Sequence, residues 1–315
     1  MSQRGVALIS VLVVLAVATT VVTGLLLTLQ LDLRRLETAG QLRQARAYAL
    51  GMESWMRVRL MREIRTAQQR GQPAAPLPAA LFAPVRLEID QGSLDGRLVD
   101  LDGRYNLNNL RRPDGSLDPV HYTLLERLLA LLGLPADLAP AIADWIDVDR
   151  EARFPAGAED ADYALLRPAY GAPNRPLASV SELRGVRGLT PEHHARLAPF
   201  VTTLPAPSTL NVNTAPDLLL ALMAGATGAA RAPGTGLEAL RPPGGFVSVE
   251  EFLARAGAGA AAAPAAAMRV QGQHFLVIAE ARHAGVRAQM YSVLEREDGL
   301  AAARVLRRSF SADVE

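Results

Sequence analysis

The sequence has no cysteine, which excludes disulfides, iron–sulfur clusters and thiol catalysis and leaves the redox compartment open. It has no lysine either. Every basic side chain is an arginine, and beside so much alanine this reads as codon bias rather than chemistry. An excess of one charge is also absent. With 33 basic and 32 acidic residues the net charge is +1, so the chain as a whole has no strong pull toward nucleic acid or an anionic surface. The signatures G-x-G-x-x-G, G-K-S/T, G-x-S-x-G and H-E-x-x-H do not occur, so nothing points to a dinucleotide, a P-loop, a serine hydrolase or a zinc peptidase. What is present is a chain of 315 residues, 50% of them apolar, enough for a sizeable core and for two or three domains.

Charge is missing altogether from Val6 to Leu29, behind a short polar leader, Met1-Ser2-Gln3-Arg4-Gly5. A helix of about 24 apolar residues spans roughly 36 Å, enough to cross a bilayer. Three readings compete. A secretory signal peptide would cut near Ala16-Val17-Ala18, but the apolar run continues well past that point. An ordinary single-span anchor has the right length, yet no proline, and only Gly24, Gly40 and Gly51, interrupt the path from Val6 to Arg70. A leader cut after Gly5, with the apolar run kept as an assembly helix, fits Gly5-Val6 best. The positive-inside rule then places Arg4 in the cytoplasm and the body outside the membrane, although Arg34 and Arg35 after the span work against it.

Behind the span, Leu31, Leu36, Leu42, Ala45, Ala49, Met52, Met56 and Leu60 recur at three to four residue steps. This predicts one long helix that ends at Gly71, before Pro73, Pro76 and Pro78. So long a helix calls for partners along its length, and the loose stripe from Leu31 to Leu60 is where partner helices are expected. Pro84 to Leu110 changes period: Val85, Leu87 and Ile89 alternate with polar residues, and Gly92-Ser93, Asp95-Gly96 and Asp102-Gly103 read as turn pairs. From about Pro119 to Pro264 the pattern is helical. Expected helices include Tyr122–Leu132, one from Pro135 through Ile146, one opened by Thr190-Pro191, and short ones at 216–223 and 248–256. The tail returns to strands at 275–281, 286–294 and 304–310, with His283-Ala284-Gly285 as a hairpin turn. The simplest architecture is one sheet built from both flanks with an all-α domain inserted into it.

Two constellations carry candidate chemistry. The first is the acidic stretch Asp144-Trp145-Ile146-Asp147-Val148-Asp149, followed by Glu159-Asp160-Ala161-Asp162 across a Pro-Ala-Gly turn. Clustered oxygen donors without His or Cys suit calcium, although the spacing is not that of an EF-hand. The plainer alternative is a solvated acidic loop; a glycosidase-like carboxylate pair has nothing else to support it. The second is Ser181-Glu182-Leu183-Arg184-Gly185-Val186-Arg187-Gly188-Leu189, which is similar to a helix-hairpin-helix unit that presents backbone amides to phosphate. No basic cluster surrounds it, so two packed helices are the simpler reading. His193-His194 has no matching ligand run and reads as surface.

Taken in order, several of these stretches resemble protein K of the type II secretion system, a minor pseudopilin family. They are the Arg4-Gly5 leader end, the span opening Val6-Ala7-Leu8-Ile9-Ser10-Val11-Leu12, the Asp144–Asp149 stretch, Gly157-Ala158-Glu159-Asp160, Pro176-Leu177-Ala178-Ser179-Val180-Ser181-Glu182-Leu183, and Leu210-Asn211-Val212-Asn213-Thr214-Ala215. The resemblance implies an α+β, pilin-like fold: a long N-terminal helix, a small antiparallel sheet and a large all-α insertion of two SAM or helix-hairpin-helix-like subdomains. It divides the chain into a leader (1–5), a transmembrane and assembly helix (6–70), a first part of the sheet (84–116), insertion subdomains (117–205 and 206–268) and a second part of the sheet (269–315). It implies structural calcium held among Asp144, Asp147, Asp149, Glu159, Asp160 and Asp162, and cleavage by a prepilin peptidase between Gly5 and Val6. Most pilin-like subunits carry a glutamate at the fifth mature position, where this chain has Ser10. That departure is typical of protein K and suits a place at the filament tip. A non-enzymatic protein is implied, single-pass in the inner membrane and mostly periplasmic, with minor pseudopilins I, J and H as partners and no nucleic acid. The rival reading is a membrane-anchored nucleic-acid-binding protein of a competence-like system, using the hairpin at Gly185 to Gly188.

Overall fold

The computed structural model describes residues 3–71, 75–225, 236–259, 261–297 and 302–310. The first element, α1, runs from Gln3 to Gln69 as one unbroken helix, about 100 Å long at 1.5 Å per residue. Its apolar part stands clear of the rest of the chain. Val14 and Val21 are about two-thirds exposed, and every residue from Ser10 to Gly24 is open. With a mean hydropathy of 2.5 in its most apolar window, α1 is the one candidate membrane span among the described residues.

From Ala45 onward α1 behaves as a globular helix. Ala45, Ala49, Met52, Met56, Leu60 and Ile64 share one face and are buried. They pack on a five-stranded antiparallel sheet whose spatial order is Val85–Ile89 (β1), Gly92–Asp100 (β2), His274–His283 (β7), Val286–Arg296 (β8) and Ala303–Ser309 (β9). This corrects the expectation that the stripe from Leu31 to Leu60 serves partner helices. Its C-terminal half instead covers the protein's own sheet, because Leu94, Leu98, Val277, Ala279 and Met290 present an apolar surface there. Of the stripe, Leu31 and Leu36 stay exposed, at 54% and 65%. Polar side chains also sit inside this interface: Glu53 accepts two hydrogen bonds from the Arg308 guanidinium, at 2.7 and 2.8 Å, and one from Oγ of the buried Ser292.

The sheet is built from both ends of the body. Strands β1 (Val85–Ile89) and β2 (Gly92–Asp100) form the first hairpin. Its turn is Asp90-Gln91, with Gln91 at φ +59°. Gly92-Ser93 and Asp95-Gly96, expected as turns, lie inside β2. Gly96 is there because a Cβ would stand 2.5 Å from Met52 Sδ, so α1 can approach the strand closely only over a glycine. At the other end, β7 (His274–His283) and β8 (Val286–Arg296) turn at Ala284-Gly285, both with positive φ, as the paired register of a tight hairpin requires. Strand β9 (Ala303–Ser309) closes the far edge.

Between β2 and β7 the chain makes a helical insertion. In order it holds β3 (Tyr105–Asn106), α2 (Pro119–Leu131), α3 (Leu138–Ile146), α4 (Asp160–Tyr163), α5 (Pro191–Leu197), β4 (Val201–Thr202), β5 (Leu210–Asn211), α6 (Asp217–Ala224), α7 (Val249–Ala256) and β6 (Met268–Arg269). The local signals act as the sequence suggests. Asp118 caps α2 through the Val120 and His121 amides with Pro119 at the first position, and Thr190 and Ser248 cap α5 and α7. Two-residue parallel pairings, β3 with β4 and β5 with β6, tie distant parts of the insertion together. Its buried side chains form one continuous cluster from Tyr105 to Met268. Of the Gly/Ala/Pro-rich loop predicted at 225–245, residues 226–235 lie outside the described residues, and Leu237–Leu240 forms a 3-10 turn.

The insertion is joined to the sheet by buried carboxylates at the point where the chain leaves β2 and returns to β7. Asp100 Oδ2 accepts from Asn211 Nδ2 at 2.7 Å and Thr214 Oγ1 at 3.0 Å, while its Oδ1 accepts from the Asp102 amide at 2.9 Å. Asp102 in turn accepts from the His274 amide at 2.8 Å and pairs with His274 Nδ1 at 3.0 Å. Burial, and then the neighbouring Asp102 charge, pushes the Asp100 carboxyl well above the usual carboxylate range.

Candidate functional site

The acidic stretch is assembled at the C-terminus of α3. Asp144 lies on the last turn of the helix and is fully buried. Asp147 caps it with an extended backbone (ψ −179°), which throws the chain outward into the loop. The loop then folds back over Asp144: the Arg153 and Ala158 amides donate to Asp144 Oδ2 at 3.0 and 2.9 Å. Gly157 makes the return possible, since a Cβ there would stand 2.1 Å from Asp144 Oδ2. Trp145, on the opposite side of α3, is locked edge-on against Tyr163 at 5.1 Å and lies under Gly185.

Oxygens of Asp147, Asp149 and Glu159 converge within 4.8 Å of one another. That is the spread of donors around a cation held at about 2.3–2.6 Å. Four side-chain oxygens in the same region are buried and accept no hydrogen bond: Asp144 Oδ1, Asp147 Oδ1, Glu159 Oε1 and Asn174 Oδ1. Buried oxygens of this kind are costly unless they face a donor or a cation. Among the described residues two guanidiniums act here: Arg111, which donates to the Ile146 and Asn174 carbonyls and attracts the Asp147 charge, and Arg153, which reaches into the cluster. Arg153 lies 3.2 Å from Asp144 Oδ1, 2.7 Å from Asp147 Oδ2 and 3.8 Å from Asp149 Oδ2. These two guanidiniums leave four neighbouring carboxylates undercompensated. Burial, then mutual repulsion, therefore raises the Asp147 carboxyl, raises Asp144 despite its hydrogen bond from the Arg153 amide, and pushes Glu159 up to about 7.

The other two acids expected here face elsewhere. Asp160 Oδ1 accepts from the Ala172 amide at 3.0 Å, and Asp162 closes the start of α4 through the Glu159 amide at 3.2 Å while pairing with Arg187. They brace the loop from outside. Two participants carry no signal in the spacing, Arg153 and Asn174. Asn174 arrives from a separate loop with φ +46° and donates to the Asp149 carbonyl at 3.0 Å. An asparagine tolerant of positive φ within a Pro/Gly-rich stretch was the one hint available.

The glycine hairpin after Ser179 is packed rather than presented. Val180–Gly185 is a short 3-10 turn whose Leu183 is buried, and the Gly185 carbonyl accepts from Tyr170 Oη at 2.9 Å. His193 Nδ1 lies 3.1 Å from the Gly188 carbonyl and His194 Nε2 lies 3.3 Å from that of Val180. Gly5, Val6 and Ser10 fall within the first turns of α1.

Comparison with known proteins points one way. The sequence profile of "Type II secretion system (T2SS), protein K" matches residues 103–206. The chain is 40% identical over 229 residues to the type II secretion system protein K of Pseudomonas aeruginosa, covering 70% of this chain and 68% of that one. It is 34% identical over 228 residues to its counterpart in Aeromonas hydrophila, covering 67% of each. Its backbone is similar to a chain in the crystal structure of the GspK-GspI-GspJ complex from the type 2 secretion system of enterotoxigenic Escherichia coli. That match has a TM-score of 0.75 at 24% identity, over 87% of this chain and 98% of that one.

Proposed function

The chain belongs to the type II secretion system protein K family, and from that membership we propose that it is the minor pseudopilin that initiates and caps a short periplasmic pseudopilus. The observation that carries the reading is architectural: a long helix with an apolar head holds a small antiparallel sheet, and a bulky insertion leaves that sheet between β2 and β7. The helix supplies a stackable core for a filament, whereas the insertion stands in the way of a subunit added beyond it. Residues 6–29 anchor the protein in the inner membrane and the body is periplasmic. A prepilin peptidase cuts between Gly5 and Val6, and Ser10 then occupies the fifth mature position. The solved relative was crystallised with GspI and GspJ, so minor pseudopilins I and J are the first partners, with H joining the same tip. The role is structural and not enzymatic. The nucleic-acid reading draws no support from the relatives, and Arg187 at its hairpin is committed to Asp162.

The acidic site is proposed to hold structural calcium. Asp147, Asp149 and Glu159 would be its carboxylate ligands, with Asp144 and Asn174 as neighbouring oxygen donors. The support is the donor set itself: hard oxygens only, several buried without a hydrogen bond, and more negative charge than Arg111 and Arg153 offset. The functional reading is tested by co-purifying the protein with minor pseudopilins I, J and H from the same secretion system. A complex containing them supports the tip role. A protein that is recovered alone and instead binds duplex DNA in a salt-sensitive way contradicts it.

A further inference from the structure

The insertion and the sheet face turned away from α1 enclose an open cleft of about 740 Å³. Strand alternation makes that face. Leu98, Val277 and Met290 pack toward α1, so Val99, Leu276, Ile278, Tyr291 and Val293 point the other way. Beside the irregularity in the β8–β9 pairing at Val293/Leu294, Leu306 and Arg307 both line the cleft, although they are neighbours in one strand. The facing wall is the insertion, from residues 111–113, 176–178 and 202–207. That wall is fixed from within. Asn108 Nδ2 donates to the Leu177 and Leu204 carbonyls at 3.0 Å each, its Oδ1 accepts from the Leu177 amide at 2.7 Å, and Asn109 Nδ2 donates to the Ser208 carbonyl at 2.7 Å. The cleft is therefore preformed, which lowers the ordering cost of binding. The same bonds use up backbone groups at 177 and 204, so the wall offers charge and apolar surface rather than a strand edge.

The charge of the lining is of one sign. Three guanidiniums, Arg111, Arg112 and Arg307, stand against one carboxylate, Asp118. Arg111 is engaged with the Ile146 and Asn174 carbonyls, whereas Arg112 pairs with Asp118 at 3.2 Å and stays 47% exposed. Arg307 donates to the Ala178 carbonyl, and burial holds its guanidinium below the usual range against the attraction of Glu182. Its positive charge is held at a cost that an arriving anion relieves. His121 adds no charge at neutral pH, because burial lowers its pKa against the pull of Asp118. The floor decides which kind of anion fits. It is apolar, built from Leu101, Leu204, Val293 and Leu306. Ile278 and Tyr291, paired in register and half-buried, carry it on over the sheet. From β9 across β8 to β7 that strip spans two strand spacings, roughly 10 Å, the length of three extended residues. A bare phosphate would leave this surface wet. A nucleic-acid strand stacks successive bases on several rings. Among the described residues of the cleft and strip there are two, His121 on the insertion and Tyr291 on the sheet.

We propose that the cleft between the insertion and the outer face of the sheet binds an extended peptide segment of a second protein, with acidic and aliphatic side chains in alternation. Its carboxylates meet Arg112 and Arg307, and its aliphatic side chains lie on Val293, Leu306 and Tyr291. Successive side chains of an extended chain point to opposite faces, so alternation of the two kinds places each against its own wall. Charge selects the segment, and apolar contact holds it. The inference rests on the cleft alone and is independent of the pseudopilin reading.

The test uses the full chain in detergent and a fluorescein-labelled peptide that alternates glutamate with valine, read by fluorescence anisotropy. The wild type is expected to bind it, more weakly as salt screens the charges. R112E/R307E is expected to bind at least about tenfold more weakly, and R112K/R307K to keep most of the affinity. Leu306→Gln is expected to weaken binding with no change of charge. Circular dichroism checks that each variant is folded. Because Arg307 also holds the Ala178 carbonyl, R112E alone carries the same comparison should the double variant fail to fold. A wild-type protein that ignores the peptide, or binds a lysine–valine peptide as tightly, overturns the proposal. So does a folded R112E/R307E that binds like the wild type. Displacement of the peptide by millimolar inorganic phosphate, with Leu306→Gln unaffected, would reduce the cleft to a plain anion site and overturn it as well. None of these readouts involves a minor pseudopilin, so the functional reading stands or falls separately, on co-purification.

Discussion

A Cβ at residue 157 would stand 2.1 Å from Asp144 Oδ2 and 2.3 Å from the Arg153 amide nitrogen, neither of which is a flexible chain end. Gly157→Ala therefore forces the loop off Asp144. It is expected to cost about 2–4 kcal/mol by breaking a buried hydrogen-bonded carboxylate site, measurable by urea denaturation against the wild type. Glu53 gives a pH-dependent prediction. Burial disfavours its charge, but the Arg308 and Ser292 hydrogen bonds outweigh that and hold the carboxyl below its usual value of 4.5. A depressed carboxylate stabilises the fold above its unfolded pKa and loses that contribution as the pH falls through the folded value. Glu53→Gln is thus expected to be less stable by about 1.5–3 kcal/mol at neutral pH, with the gap to the wild type closing below pH 4.5. A constant gap down to acid pH would show that the charge is immaterial. At this scale the sequence was legible where type and spacing coincide, as in Asp144, Asp147 and Glu159. Glu53 was invisible, because its partners Ser292 and Arg308 lie about 240 and 255 positions away.

Elements with strong local signals came through: the single helix of α1, the capped helices α2, α5 and α7, and the β7–β8 hairpin all follow from period and caps that compete with nothing. The first hairpin did not. Gly96 looked like a turn residue because its cause, contact with Met52, is tertiary. The same logic reassigns the α1 stripe, since the sequence shows that a face is apolar but not which surface will cover it. The acidic loop is the element on which metal acts. With calcium at about a hundred times its dissociation constant the folded state gains about 2.7 kcal/mol, a rise of roughly 5–10 °C in melting temperature for a body of this size. Chelator should lower the melting temperature by that amount, calcium should restore it, and Asp147→Asn should abolish the difference. Identical melting with and without chelator would reduce the loop to a braced acidic surface.

For the molecule as a whole, the fold separates three tasks: a free apolar helix, a sheet that grips the rest of that helix, and an insertion clamped to the sheet through Asp100 and Asp102. The buried core begins at Ala45, so removal of residues 1–29 should leave a body that melts like the full chain, as circular dichroism would show. N-terminal sequencing of membrane-extracted protein should begin at Val6, and a start near Thr19 would indicate an ordinary signal peptide. The claim that organises the rest is position at the filament end. Intact pseudopili labelled with an antibody to the insertion, residues 103–268, test it most directly. Signal confined to one end of each filament is the predicted result, and signal spread along the shaft would contradict it.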